Sequence, residues 1–242
     1  MIRAILFDAG NTLIRMDYAA IAAELARHGV SVTTDMLQRG DWTARVRLDT
    51  DLFATMAAMS TESRDTTARY TQYLLEGAGV RDPDLHARIM DWRRGYNAPI
   101  GLWTVAEPEA ADALALARAA GLVTGVVSNS NGTIRRILES LDLARHLDFV
   151  LDSQEEGVEK PDPRFFARAL GRAGVTADEA AYIGDLYSID VIGARRAGIR
   201  AVLMDPGQCW GTRDCPAAGT VLDAVRWLLA ERATTGPSKT GE

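Results

Sequence analysis

Two kinds of territory alternate along this chain. Residues 2–7, I-R-A-I-L-F, are almost continuously apolar and stop at Asp8. A run of that length without polar alternation predicts a buried parallel strand, covered on both faces. Residues 122–127, 149–151, 180–184 and 200–204 repeat the pattern. Helical stretches fall between them, at 108–120, from about 133, at 163–173, 188–197 and 222–232. Pro108 stands near the first turn of its helix, and Gly121, Gly174 and Gly198 close three of the stretches. Strand and helix in alternation from residue 102 onward predict βαβ units and a parallel sheet. Residues 16–98 are different, because no strand signal interrupts them. Asp17 caps a helix that Gly29 closes; further helices are expected from about 34 to 59, with a break near Gly40, and over 63–76 and 83–96. The predicted fold is therefore α/β: a doubly wound, Rossmann-like parallel sheet with an all-α block inserted after the first strand.

Ligands bind to such sheets beyond the carboxyl ends of the strands, so the residues there are the candidates for chemistry. Asp8 ends the first run, and Ser128-Asn129 end the second, followed by Gly132 and a helix start. After the third come Glu159-Lys160-Pro161-Asp162-Pro163, and after the fourth Asp185, with Asp190 five residues on. A carboxylate fixed at a strand end can attack an electrophile or hold a cation. A hydroxyl, an amide and free helix N–H groups can bind phosphate oxygens. Each element also has an ordinary reading, as a helix cap, a turn or a surface lysine. Four of them in order at successive strand ends are a much stronger signal than any one.

Composition narrows the field. The 242 residues are 47% hydrophobic and 25% charged, which fits an ordinary globular protein with a substantial core. A net charge of −6 argues against nucleic-acid or anionic-membrane partners, so positive charge for an anionic ligand must be local. Lysine is scarce: Lys160 and Lys239 are the only two, and Lys239 sits in a small, polar tail, residues 234–242, expected to be disordered. No apolar run reaches the eighteen or more residues of a membrane span. The first run stops too early for a secretory signal, and the expectation is a cytoplasmic protein with reduced thiols at Cys209 and Cys215.

The ordered set of Asp8, Ser128, Lys160 and Asp185 with Asp190 resembles the haloacid dehalogenase-like hydrolase superfamily, whose members are mostly magnesium-dependent phosphatases. The resemblance runs from Ile2 to about Leu229. It implies residues 1–15 and 99–233 as an α/β catalytic core and 16–98 as a helical cap. It implies Asp8 as the nucleophile that forms an aspartyl-phosphate, and Lys160 as the ammonium that pairs with Asp8 and the phosphate. Ser128 and Asn129 would bind phosphate. Mg²⁺ would be held by Asp8, Asp185 and the main-chain carbonyl of Gly10, with Asp190 ordering its water and Thr12 bracing the first loop. The partner implied is a small phosphorylated metabolite; oligomeric state leaves no trace in the sequence. At one position the chain departs from the family pattern. Most family phosphatases carry a second Asp two residues after the nucleophile, as the acid that protonates the leaving alcohol, and here Gly10 stands there.

That glycine keeps other readings open. A metal-free haloacid dehalogenase would use Asp8 against carbon, but an anionic metal ligand such as Asp185 has no use there, and the tyrosine usual at position 10 is missing. A phosphonoacetaldehyde-hydrolase-like mechanism needs a cap lysine for a Schiff base, and residues 15–98 contain none. A binding or scaffold protein that keeps the pocket without turnover is the alternative of another class. Asp17, Asp41, Asp49 and Tyr96 are cap-region candidates to replace the missing acid, on location alone, with a surface or packing role as the ordinary expectation for each. Arg45 and Arg47 could reach an anionic substrate, with solvent-exposed side chains as the ordinary expectation; the aromatic residues of the cap read as packing.

Overall fold

The computed structural model describes residues 1–54 and 60–234. Its strands are β1 (Ala4–Phe7), β2 (Ile14–Arg15), β3 (Val105–Ala106), β4 (Val123–Ser128), β5 (Phe149–Asp152), β6 (Ala180–Gly184), β7 (Arg200–Met204) and β8 (Ala217–Ala218). Six of them form one parallel sheet in the order β5-β4-β1-β6-β7-β8. The apolar runs are continuous because both faces are covered. From β1, Ile5 and Phe7 face one core and Ala4 and Leu6 the other. The first core is closed by α5 (Ala110–Ala119), α6 (Ile134–Ser140) and α10 (Val221–Thr234). The second is closed by α8 (Pro163–Ala173) and α9 (Ile192–Arg196), with Phe165 and Phe166 of α8 wholly buried. A short helix, α7 (Ser153–Glu156), follows β5. This is the α/β architecture expected.

Between β2 and β3 the chain forms α1 (Tyr18–Arg27), α2 (Thr34–Leu48), α3 (Arg64–Gly77) and α4 (Pro83–Gly95). Asp17 caps α1 by accepting the Ala20 N–H at 2.9 Å. These helices share a third hydrophobic core, around Leu25, Leu37, Leu74, Leu75 and Ile89. The break expected at Gly40 is absent. Here α2 runs straight through and lies so close to α3 that a Cβ on Gly40 would meet the Leu74 carbonyl oxygen at 2.5 Å. The glycine serves helix contact, not helix termination. A wide π-type turn at Asp49–Phe53 extends α2, and the remainder of that stretch, residues 55–59, lies outside the described residues.

Three short strands were not expected. β2 and β3 pair antiparallel where the chain leaves and re-enters the helical block, and β8 adds to the sheet edge. Runs of two residues carry no periodicity to read. Pro108 precedes α5 and does not enter its first turn, and α9 begins only after a π-type turn at Tyr187–Val191. Helix α10 runs to Thr234, the first residue of the expected tail; the rest of the tail, with Lys239, is outside the described residues. Cys209 and Cys215 are free thiols. No helix among the described residues is long and apolar enough to cross a membrane.

Candidate active site

The order of strands puts β1 between β4 and β6, so Asp8, Ser128 and Asp185 emerge side by side at one edge of the sheet. They line a cavity of about 800 Å³ between that edge and the helical block, with Lys160, Arg45 and Trp103 among its other walls.

Lys160 is the centre of the charge arrangement. It is 3% exposed, and its Nζ donates to Asp8 Oδ1 at 2.5 Å, Asp190 Oδ1 at 2.8 Å and Tyr182 Oη at 2.9 Å. Three donors thus have three acceptors. Burial pulls the ammonium toward deprotonation, but Asp190 and Asp8 outweigh it and hold its pKa above the ordinary lysine range. The loop is fixed by Asn129, whose side-chain oxygen accepts the Lys160 N–H at 2.8 Å while its amide donates to the Lys160 carbonyl at 2.9 Å. The second amide hydrogen goes to Thr61 at 2.9 Å. Asn129, expected on the phosphate, spends its side chain on the lysine's backbone and has its own N–H to offer a ligand. Ser128 Oγ makes only a 3.4 Å contact with the neighbouring carbonyl, which leaves its hydroxyl available to the cavity. Asp152 and Ser153 brace the loop after β4, accepting the Gly132 and Ser130 N–H groups at 3.0 Å each.

Asp8, Asp185 and Asp190 are all buried, and each offers a carboxylate oxygen within 4.8 Å of the others. Burial raises the pKa of Asp8 above the usual carboxylate range even against Lys160, and raises Asp185 even against Arg45. The cluster is short of positive charge. Hard carboxylate oxygens, close together and under-compensated, are the donor set that suits a divalent cation such as Mg²⁺, so the residues present fit one. Asp190, expected to order metal-bound water, has its carboxylate largely engaged. Besides Lys160 it accepts the Asp185 and Leu186 N–H groups at 3.1 and 2.9 Å. A Cβ on Gly184 would lie 2.5 Å from the Asp190 Cγ. Gly184→Ala is therefore expected to push Asp190 off Lys160 and to cost about 2 kcal/mol of stability, as overpacking does, measured by denaturant unfolding.

Four residues at the site carried no sequence signal or the wrong one. Asn11, in the left-handed region at φ 51°, donates to Asp185 Oδ2 and to Tyr70 Oη, both at 3.0 Å. Tyr70 in turn donates to Asp41 at 2.6 Å. Tyr182 lies inside an apolar run and reads as core. Arg45, expected at the surface, is 2% exposed and reaches across from α2 to Asp185 Oδ2 at 3.5 Å. Thr12 is a correction: its buried hydroxyl has no hydrogen-bond partner, so it does not brace the loop by that bond. Gly10 is not required by the backbone, and a Cβ there would meet the Trp103 ring at 3.4 Å, an ordinary contact. Of the other cap-region candidates, Asp49 accepts the Ser188 N–H and hydroxyl at 2.9 Å each, and Tyr96 packs on Trp92 at 4.7 Å between ring centroids.

Comparison with known proteins adds an independent line. A family model described as haloacid dehalogenase-like hydrolase matches residues 2–198. The human haloacid dehalogenase-like hydrolase domain-containing protein 3 is 31% identical over 208 residues, 84% of this chain and 82% of that protein. Phosphatase MT3486 of Mycobacterium tuberculosis is 31% identical over 231 residues, 93% of this chain and 98% of its own length. Four other relatives are matched over only 36% to 62% of their length. Among solved structures, a 2-haloacid dehalogenase from Pseudomonas syringae pv. Tomato DC3000 superposes with a TM-score of 0.56 at 26% identity, covering 96% of this chain and all of that one.

Proposed function

The chain belongs to the haloacid dehalogenase-like hydrolases, and from that premise we propose that it is a Mg²⁺-dependent phosphohydrolase of a small phosphorylated metabolite, working through an aspartyl-phosphate at Asp8. The observation that carries the reading is the cluster of three buried carboxylates, one of them paired at 2.5 Å with the only lysine outside the tail. Displacement of halide from carbon needs one carboxylate and gains nothing from two more. Attack on a phosphate dianion requires cationic compensation, and the cluster is built to gather it. The full-length similarity to a protein named as a phosphatase points the same way.

In this reading residues 16–98 are the cap, and 1–15 with 99–233 the catalytic core. Asp8, Asp185 and the Gly10 carbonyl hold Mg²⁺, which when bound neutralises the phosphoryl oxygens. Ser128 Oγ and the backbone N–H of Asn129 hold the remaining oxygens. Lys160 keeps Asp8 ionised and aimed. A carboxylate oxygen of Asp8 forms the bond to phosphorus as the bond to the leaving oxygen breaks. That oxygen takes its proton from water or departs as the anion, since position 10 offers no acid. Water then attacks the phosphoryl group, releasing inorganic phosphate and regenerating Asp8.

The test is phosphate release from an activated aryl phosphate by chelator-stripped protein. Release is expected to rise about tenfold or more when Mg²⁺ is restored, in line with the several kcal/mol of charge stabilisation a metal supplies. Halide release from 2-chloropropionate, insensitive to chelation and with no phosphate release, would replace this reading by the dehalogenase one.

A further inference from the structure

Helix α2 carries Asp41 and Arg45, and the π-type turn that extends it begins with Asp49; at four-residue spacing the three share one face. Charges of alternating sign at that spacing ordinarily mark a solvated stripe. Here the face is turned inward, with the three residues 1%, 2% and 3% exposed. Asp49 fastens α2 to Ser188 in the turn after β6. Arg45 fastens it to Asp185, at the start of the same turn. The two fastenings differ in kind. Asp49 makes two hydrogen bonds of ordinary length, whereas Arg45 makes one contact at 3.5 Å, and its Nε and Nη2 are buried with no partner. Such a guanidinium is held by charge more than by geometry, and its spare donors are free to follow another acceptor.

We propose that Arg45 is a resident counter-cation of the metal site: its guanidinium holds Asp185 when no divalent cation is present and yields that carboxylate when one binds. This rests on the reading of Asp185 as a metal ligand. The physical reason is that a buried carboxylate left without a positive partner is strongly unfavourable, and Asp185 sits beside Asp8 and Asp190. The guanidinium relieves that, but a divalent ion and a guanidinium on one carboxylate repel each other at low effective dielectric. Arg45 therefore lowers the affinity for Mg²⁺. It also ties metal loading to release of one of the two charged fastenings between α2 and the turn after β6. Asp49–Ser188 remains as the pivot, and the freed guanidinium faces the cavity that receives the substrate.

Calorimetric titration of chelator-stripped wild type, R45Q and R45K with Mg²⁺ at fixed ionic strength tests this without any assay of turnover. R45Q is expected to bind Mg²⁺ about tenfold more tightly than wild type, and R45K, which keeps the charge, to stay near wild type. Unchanged or weaker binding by R45Q would overturn the proposal and make Arg45 a support for Asp185. Should R45Q not fold, the Nε–H resonance of Arg45 in wild type, assigned by its absence in R45K, serves instead. It is expected to shift and to exchange faster with water as Mg²⁺ is added, and a resonance unmoved at saturation would overturn the proposal. Absence of Mg²⁺ binding by wild type overturns the metal site itself, and this inference with it; binding that is indifferent to Arg45 overturns the inference alone.

Discussion

Asp8→Asn is expected to lower phosphate release on the order of 10⁴-fold or more while leaving the fold intact. Loss of a covalent nucleophile removes the step itself, and losses of that size or greater follow in enzymes where it has been done. The substitution keeps the shape of the side chain and changes only its charge. Lys160 retains Asp190 at 2.8 Å and Tyr182 at 2.9 Å, so its ammonium is not stranded. Meanwhile one of three mutually repelling carboxylates is neutralised. Thermal unfolding should therefore occur at or slightly above the wild-type temperature. That combination separates loss of chemistry from loss of structure. Equal phosphate release from wild type and Asp8→Asn would instead support a phosphate-binding or scaffold protein, with any observed turnover arising elsewhere.

The strand ends were legible because their signal is local. An apolar run must stop where the strand leaves the sheet, and the polar residue at the stop lands at the edge where ligands bind. This places Asp8, Ser128 and Asp185 at strand ends, and they do meet at one edge. Lys160 was marked by the scarcity of lysine and by its proline-flanked loop, although nothing in the sequence announces that Asn129 clamps its backbone. What could not be read depends on how separate pieces approach. Tyr182 sits inside a continuously buried strand, so the hydroxyl that accepts one of the three Lys160 ammonium hydrogens is invisible among apolar neighbours. Asn11 sits in a turn, where asparagine is ordinary; its left-handed backbone turns the amide toward Asp185 and Tyr70. Arg45 misled most, because its neutralising partners are Asp185, distant in sequence, and Asp41, one helical turn away.

Gly10→Asp is expected to raise turnover on alkyl phosphates by about a hundredfold, and on activated aryl phosphates by less than about threefold. A positioned acid contributes about 10²–10⁴-fold when the leaving group needs a proton in the transition state. An activated aryl oxide leaves as the anion and needs little help, whereas an alkoxide is too basic to leave unassisted. The space for the change exists. Gly10 has no left-handed backbone that a side chain would strain, and a Cβ there would touch the Trp103 ring at 3.4 to 3.7 Å without overlap. The new carboxylate would start two residues from Asp8, bounded on one side by that indole, which itself lies parallel to Tyr70 at 6.4 Å between centroids. Gly10→Asn is the control, since it fills the same volume without a titratable proton. A gain in the Asp variant alone, confined to poor leaving groups, would mean that the machinery around Asp8 is complete except for the acid. A similar change in both variants would reflect the displaced indole instead. Rates equal to or below wild type on both substrate classes would mean that position 10 does not face the leaving oxygen. The proton for alkyl substrates would then come from water or from a group on the helical side of the cavity.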